Sequence, residues 1–250
     1  MVNELILILL FTLLICAYIF AAIQSSRYFK KWPLYRSVFW TLGVICIAVS
    51  VIGPLAEHAH SDFVVHMLVH LLLGMLAPLL LVLAAPITLI LRMLNVKAAR
   101  RLSRLLRSRL VGFFSNPIIA TFLNIGGLWI LYATDLYSAL QHNFLIHVLV
   151  HIHVFLAGYL FTASLIYIDP TPHRLNYKYR TLVFIFALAG HGILSKYIYA
   201  YPPDGVPQAE AEIGGMLMYY GGDAIDLGII FVLFYQWYKT SRPKSVLSIG

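Results

Sequence analysis

The sequence predicts an all-α fold, a polytopic membrane helix bundle with seven transmembrane helices, and three observations carry that prediction. Hydrophobic residues make up 61% of the 250 residues, charged residues only 11%, and the mean hydropathy is +0.84. The apolar residues fall in runs of about 20, the length needed to cross a hydrocarbon core. Basic residues concentrate in the short connections between these runs. No polar stretch is long enough for a soluble domain, so we expect residues 1–250 to form a single membrane domain.

The apolar runs define the spans in chain order. The first begins directly after Met-Val-Asn-Glu, and its basic residues follow the run instead of preceding it. A secretory signal has the opposite arrangement, so we expect a retained first span. The predicted spans cover approximately residues 4–23, 34–53, 62–85, 116–135, 143–168, 179–200 and 212–238.

The distribution of lysine and arginine predicts the orientation. The connections 53–61, 136–142 and 201–211 contain no lysine or arginine, and Lys196 is the single basic residue near that side. Cytoplasmic loops are enriched in basic residues, so the sequence predicts an N-terminus outside and a C-terminus in the cytoplasm. The other basic residues lie on the predicted cytoplasmic side: Arg27, Lys30, Lys31, Arg36, Arg92, Lys97, Arg100, Arg101, Arg104, Arg107, Arg109, Arg174, Lys178, Arg180, Lys239, Arg242 and Lys244.

The basic loop at about 92–110 accounts for much of the net charge of +8. Its segment Lys97–Leu110 carries regularly spaced leucines, which predicts a short helix on the cytoplasmic membrane surface. Attraction to anionic lipid headgroups explains this charge, so we expect no nucleic-acid partner. The two cysteines, Cys16 and Cys46, lie in separate apolar runs and form no C-x-x-C motif. They are expected to be buried thiols and not metal ligands.

Two spans carry matched histidine pairs. The third reads Asp62-x-x-x-His66-x-x-x-His70, and the fifth reads Asn143-x-x-x-His147-x-x-x-His151. Positions four apart share one face of a helix, so each pair can bind one ion. Ionisable groups within spans are costly and usually functional, and imidazole is a common ligand for copper and zinc. His66, His70, His147 and His151 are therefore the candidate metal ligands, and hydrogen bonding to neighbouring helices is the alternative role.

Further candidate ligands come from other positions. Thioether sulfur would favour Cu(I), whereas the carboxylates would also suit zinc. One b-type haem at the outer side of the membrane is another possibility, although histidines only four residues apart suit a single ion better. Loop residues His58, His60 and His142 are candidates for capturing an ion. The candidate accessory ligands are His191, Asp223, Asp62, Met67 and Met216.

The order of several motifs resembles the CtaG family of bacterial membrane proteins associated with cytochrome c oxidase assembly. The resemblance implies a seven-helix fold in the bacterial cell membrane and a role in supplying copper to a haem–copper oxidase subunit. The matching stretches are Gly53-Pro54-Leu55, His66-Met67-x-x-His70, Ala77-Pro78-Leu79-Leu80, Ala85-Pro86, Asn116-Pro117, His147-x-x-x-His151, Gly214-Gly215 and Gly222-Asp223.

Three functional hypotheses follow from these residues. The first is an assembly factor that binds copper at an outward-facing histidine site and delivers it to the oxidase, without catalysing a reaction. The second is a transporter of copper or another metal, which would need a continuous polar path through the spans. The third is a b-type haem-binding membrane redox protein. No phosphate-binding loop or nucleophile elbow is present, so the sequence does not predict an enzyme.

Overall fold

The computed structural model describes residues 2–241, and these residues are helices joined by short connections, without a β-strand. The predicted all-α membrane fold is confirmed. Six helices are long and apolar enough to cross a membrane, and a bent helix pair brings the number up to seven. The spans are Glu4–Tyr28, Leu34–Val51, Phe63–Leu83, Pro117–Ala133 with Leu136–His142, Phe144–Leu165, Tyr177–Ala200 and Gln208–Ser241.

The fourth span differs from the prediction, which placed a plain helix at 116–135 and a loop at 136–142. The helix Pro117–Ala133 is followed by a second helix, Leu136–His142, at an angle of 77°. At the break, the Thr134 hydroxyl donates to the Ile130 carbonyl at 2.6 Å and accepts from the Leu136 N–H at 3.3 Å. One side chain therefore satisfies backbone groups of both helices, which stabilises the turn.

The third span is the most buried of the candidate spans, and the first is the least. The third span packs against the second, fifth and seventh spans, and the sixth span packs along the seventh. The first span mainly contacts the second and the short helix Pro86–Met93. Many apolar side chains of the first two spans face outward, as expected where a helix contacts lipid. The polar residues of the third span are therefore enclosed by protein.

Both the third and fourth spans contain a π-helical turn, at Leu72–Leu76 and Phe122–Gly126. In the third span, Pro78 has no N–H to donate to the carbonyl of Gly74, four residues earlier. That carbonyl lies directly against Gly158 of the fifth span, where a side chain would collide with it. The proline and the two glycines thus bring the third and fifth spans into close backbone contact.

The basic segment forms the helix Val96–Leu106, followed by Arg109–Phe114. Its neighbour, the helix Pro86–Met93, is held by the loop after the fifth span. Asp169 in that loop accepts from the N–H groups of Ile87 and Thr88 at 3.1 and 2.7 Å. Its Oδ1 also accepts from the Thr88 hydroxyl at 2.6 Å. A carboxylate at a helix N-terminus is favourable, so this contact fixes the end of the bundle opposite to the histidine pairs.

Candidate metal centre

The third-span histidines are positioned by a helix cap. Asp62 Oδ1 accepts from the N–H groups of Val64 and Val65 at 2.8 and 3.0 Å, which starts the helix. His66 follows one turn later and His70 one turn after that, with exposed fractions of 4% and 5%. Asp62 was a candidate metal ligand, and the structure gives this Oδ1 a capping role. The cap fixes where the helix begins, and both imidazoles then lie on the helix face that points into the bundle.

The fifth span repeats this arrangement with an amide. Asn143 Oδ1 accepts from the N–H groups of Leu145 and Ile146 at 2.9 and 3.2 Å. The rings of His147 and His151 stack with centroids 4.1 Å apart. The Nδ1–H of His151 donates to the His147 carbonyl oxygen at 2.8 Å. That bond sets the tautomer, so the Nε2 of a neutral His151 keeps a lone pair for another partner.

The two pairs face each other at one end of the bundle, where the third, fifth and seventh spans begin; we call it the histidine end. The rings of His66 and His151 lie 6.4 Å apart at 89°. His66, His70 and His151 all line one small cavity between the third and fifth spans. Ring contact therefore joins two histidine motifs that are far apart in the sequence.

A loop histidine extends this group. The ring of His60 stacks on that of His147 at 4.5 Å. The surface groove next to it is lined by His60, His142 and Glu210, among others. We call His60, His66, His147 and His151 the histidine cluster. Successive ring contacts form a path of imidazoles from the surface groove to the buried cavity.

Two nitrogens near this path have no hydrogen-bond partner. Nε2 of His70 and Nδ1 of His147 are buried and unpaired, whereas His66 Nε2 is hydrogen-bonded to the Tyr132 hydroxyl at 3.1 Å. A buried polar atom without a partner costs free energy, and each such atom in a native fold calls for an explanation such as a bound ion or water. Neutral imidazole nitrogens are also the chemistry that copper and zinc prefer. The donor set thus fits a soft or borderline metal ion.

The side chains do not form a ready-made polydentate site. Across residues 2–241, no three histidine, cysteine, aspartate or glutamate side chains are arranged to hold one ion. The ring separation between His66 and His151 requires their side chains to approach an ion before both can bind it. Ion binding at the histidine cluster therefore calls for low coordination or side-chain movement.

The remaining candidates lie in different places. Met67 is fully buried with Phe63 and Met218 in the apolar core, and Met216 has an exposed fraction of 44%. Asp223 is exposed on the surface of the chain. None of these three side chains lines the cavity between the third and fifth spans. His191 is buried in a deeper cavity that it shares with His70.

Three further side chains contact these histidines or share a cavity with them, which the sequence did not predict. Tyr132, which bonds to His66, lies in a span that showed no polar motif, and its partner could not be read from sequence. His60 was a candidate for ion capture, but its stacking on His147 depends on how the loop folds. Asp226 was not among the candidate ligands, because its place in one cavity with His70 and His191 depends on helix packing.

Comparison with known proteins matches the chain to one family. The sequence profile of the cytochrome c oxidase caa3 assembly factor family, Caa3_CtaG, matches residues 16–240. An uncharacterized protein of Mycobacterium leprae is 28% identical over 250 residues, which cover 92% of this chain and 38% of that protein. Uncharacterized proteins of Mycobacterium bovis and Mycobacterium tuberculosis are 36% identical over 168 residues, 64% of this chain.

The chain spans between 25% and 38% of the length of these relatives. The similarity therefore concerns one portion of longer proteins. No solved structure matches the chain.

Proposed function

We propose that this chain, which belongs to the family of cytochrome c oxidase caa3 assembly factors, binds copper at its histidine cluster and passes it to a haem–copper oxidase subunit. The observation that carries the proposal is the pairing of His66 with His151 across one cavity. The two imidazoles come from different helices, and the other histidine of each pair, His70 or His147, has a buried nitrogen without a hydrogen-bond partner. Buried imidazole nitrogens are ligands for soft to borderline ions.

Delivery requires that the ion be released as readily as it is bound. A rigid site with four ligands would retain copper, whereas successive imidazoles allow one ligand to be exchanged for another. His60 and His147 lie at the surface side of the cluster, next to the groove lined by His142 and Glu210. We infer that a partner protein docks over this groove and takes the ion from His60 and His147. Transfer proceeds by ligand exchange, without a catalytic cycle.

The packing around His66 favours an ion over haem. Its ring lies 6.1 Å from Phe63, 6.0 Å from Tyr132 and 5.1 Å from Tyr137, measured between centroids. These aromatic rings fill the space beside His66 that a porphyrin plane would need. A single ion needs far less room than a porphyrin, because it occupies only the space between the imidazoles of His66 and His151.

The test is a double replacement, His66→Gln with His151→Gln, introduced into the host gene. We expect the oxidase to retain its haem while its copper content and activity fall several-fold. The matched control is His153→Gln. His153 lies on the same span as His151, but its Nε2 is hydrogen-bonded to the Leu123 carbonyl oxygen at 3.1 Å. Excess copper in the medium should restore part of the activity. Normal oxidase copper in the double variant, at equal protein abundance, would overturn the proposal.

A further inference from the structure

A second polar cavity lies deeper in the bundle than the histidine cluster. It is enclosed mainly by the third, fourth, sixth and seventh spans, with the fifth contributing at one side. Most of its lining is apolar, which makes the exceptions informative. Its main polar or sulfur-containing side chains are His70, Met75, Asn124, His191 and Asp226. We call this space the inner cavity.

Three buried groups in the inner cavity lack partners. His70 Nε2, His191 Nε2 and Asp226 Oδ1 make no hydrogen bond, and their residues are only 5%, 3% and 4% exposed. One polar atom without a partner is a defect that a fold can tolerate at a modest cost in stability. Three such atoms on three helices line one space, which points to a ligand that supplies their missing partners. The three side chains form no ready-made site, so an ion bound there is held by fewer of them or after side-chain movement.

Local backbone features open this space. The π turn Leu72–Leu76 begins two residues after His70, and the π turn Phe122–Gly126 contains Asn124. Such turns widen a helix locally and occur frequently at functional sites. On the seventh span, Gly222 lies against the His191 ring, where an added Cβ would be 2.5 Å from Cε1. The glycine therefore leaves room for the imidazole of the sixth span.

We propose that the inner cavity is a second cation site, selective for a soft monovalent ion of the Cu(I) class. Imidazole from His70 and His191 and thioether from Met75 are ligands of a soft ion. Asp226 supplies one negative charge, which neutralises one positive charge within the span. A divalent ion would leave a net buried charge, which is costly in this setting. The inference rests on the proposed function and extends it to a second site.

His70 connects the two sites, because it lines both the inner cavity and the cavity between His66 and His151. An ion held by His70 and His151 reaches the inner cavity when it exchanges His151 for His191. Copper stays Cu(I) throughout, so the step needs no electron donor or acceptor. The inner cavity then stores the ion away from water and oxidants, while the histidine cluster exchanges it with partners.

The test is an anaerobic Cu(I) titration of the full chain in detergent, against a chromogenic Cu(I) chelator. We expect two equivalents for the wild type and one for His191→Gln and for Asp226→Asn, whose side chain keeps its shape. Met75→Leu should weaken the inner equivalent about tenfold and remove a sulfur signal from the copper X-ray absorption spectrum. His173→Gln, in an exposed loop after the fifth span, is the matched control and should keep both equivalents.

The variants separate this inference from the proposed function. A wild type with one equivalent, lost in the His66→Gln, His151→Gln double variant but kept in His191→Gln, would overturn the inner site and leave the histidine cluster standing. One equivalent lost in His191→Gln and kept in the His66→Gln, His151→Gln double variant would support the inner site and contradict the cluster. No binding at all would overturn both. Size-exclusion chromatography establishes that each variant is folded, and Met75→Leu replaces any variant that is not.

Discussion

The imidazole rings of His66 and His151 stand 6.4 Å apart and nearly perpendicular, although they belong to different spans. Each ring is one of a pair spaced by four residues, and each pair starts one turn after a capped helix N-terminus. The facing arrangement brings the two motifs to one cavity. Because the two rings face each other, the coupling between their contributions to ion binding can be measured with single and double variants.

If His66 and His151 share one ion, their contributions to affinity are coupled. His66→Gln and His151→Gln should each weaken Cu(I) binding about tenfold, and the double variant should lose much less than the product. Chelator competition with all four proteins gives the coupling free energy, expected at about 1 kcal/mol or more. The control is His58→Gln, because the His58 ring is hydrogen-bonded to the Pro54 carbonyl oxygen. Strict additivity would mean that the two rings do not bind the same ion.

Tyr132 should act as a positioning residue for His66. Its hydroxyl is hydrogen-bonded to His66 Nε2 at 3.1 Å, which fixes the ring. When Nε2–H donates to the tyrosine oxygen, Nδ1 keeps its lone pair for an ion. Tyr132→Phe is expected to lower Cu(I) affinity about tenfold with little change in thermal stability. The control is Tyr137→Phe, because Tyr137 contacts the same ring at 5.1 Å between centroids. Equal affinities in the two variants would exclude a role for the Tyr132 hydroxyl.

Gly158 should tolerate no side chain. A Cβ at this position would overlap the Gly74 carbonyl group, which is backbone and cannot rotate away. Gly158→Ala is expected to destabilise the fold by about 1–3 kcal/mol, seen as a lower midpoint of thermal unfolding in detergent. At Gly126 an added Cβ would meet the Phe122 ring at 3.8 Å, an ordinary contact. Gly126→Ala should therefore be neutral or stabilising, and a similar loss in both variants would contradict the packing argument.

The orientation of the bundle is a prediction from its charges. In a background with Cys16→Ser and Cys46→Ser, Asp204→Cys should react with an impermeant maleimide in intact cells. Arg104→Cys, in the basic surface helix, should react only after the membrane is opened. Both side chains are exposed, so accessibility within the protein does not limit either reaction. The reverse labelling pattern would place the histidine end in the cytoplasm and contradict the positive-inside assignment.

The sequence by itself determined the membrane fold, because hydrophobic length and helical periodicity are local properties. The apolar runs located the spans to within a few residues, and the positions of His66 and His70 placed both on one helix face. The same local reading missed the bend after Ala133. There, hydrogen bonds of Thr134 interrupt an apolar run that the sequence predicted as a straight helix ending in a loop.

Only the tertiary structure decided which polar side chains share a space. Met67 follows His66 directly, yet its side chain packs in the apolar core. Asp226 lies far along the chain from His70 and meets the same cavity. Periodicity fixes which residues share a face, whereas the neighbour of that face depends on close contacts between helices, such as Gly158 against Gly74. Those contacts involve the rotation and bending of whole helices, which no short stretch of sequence encodes.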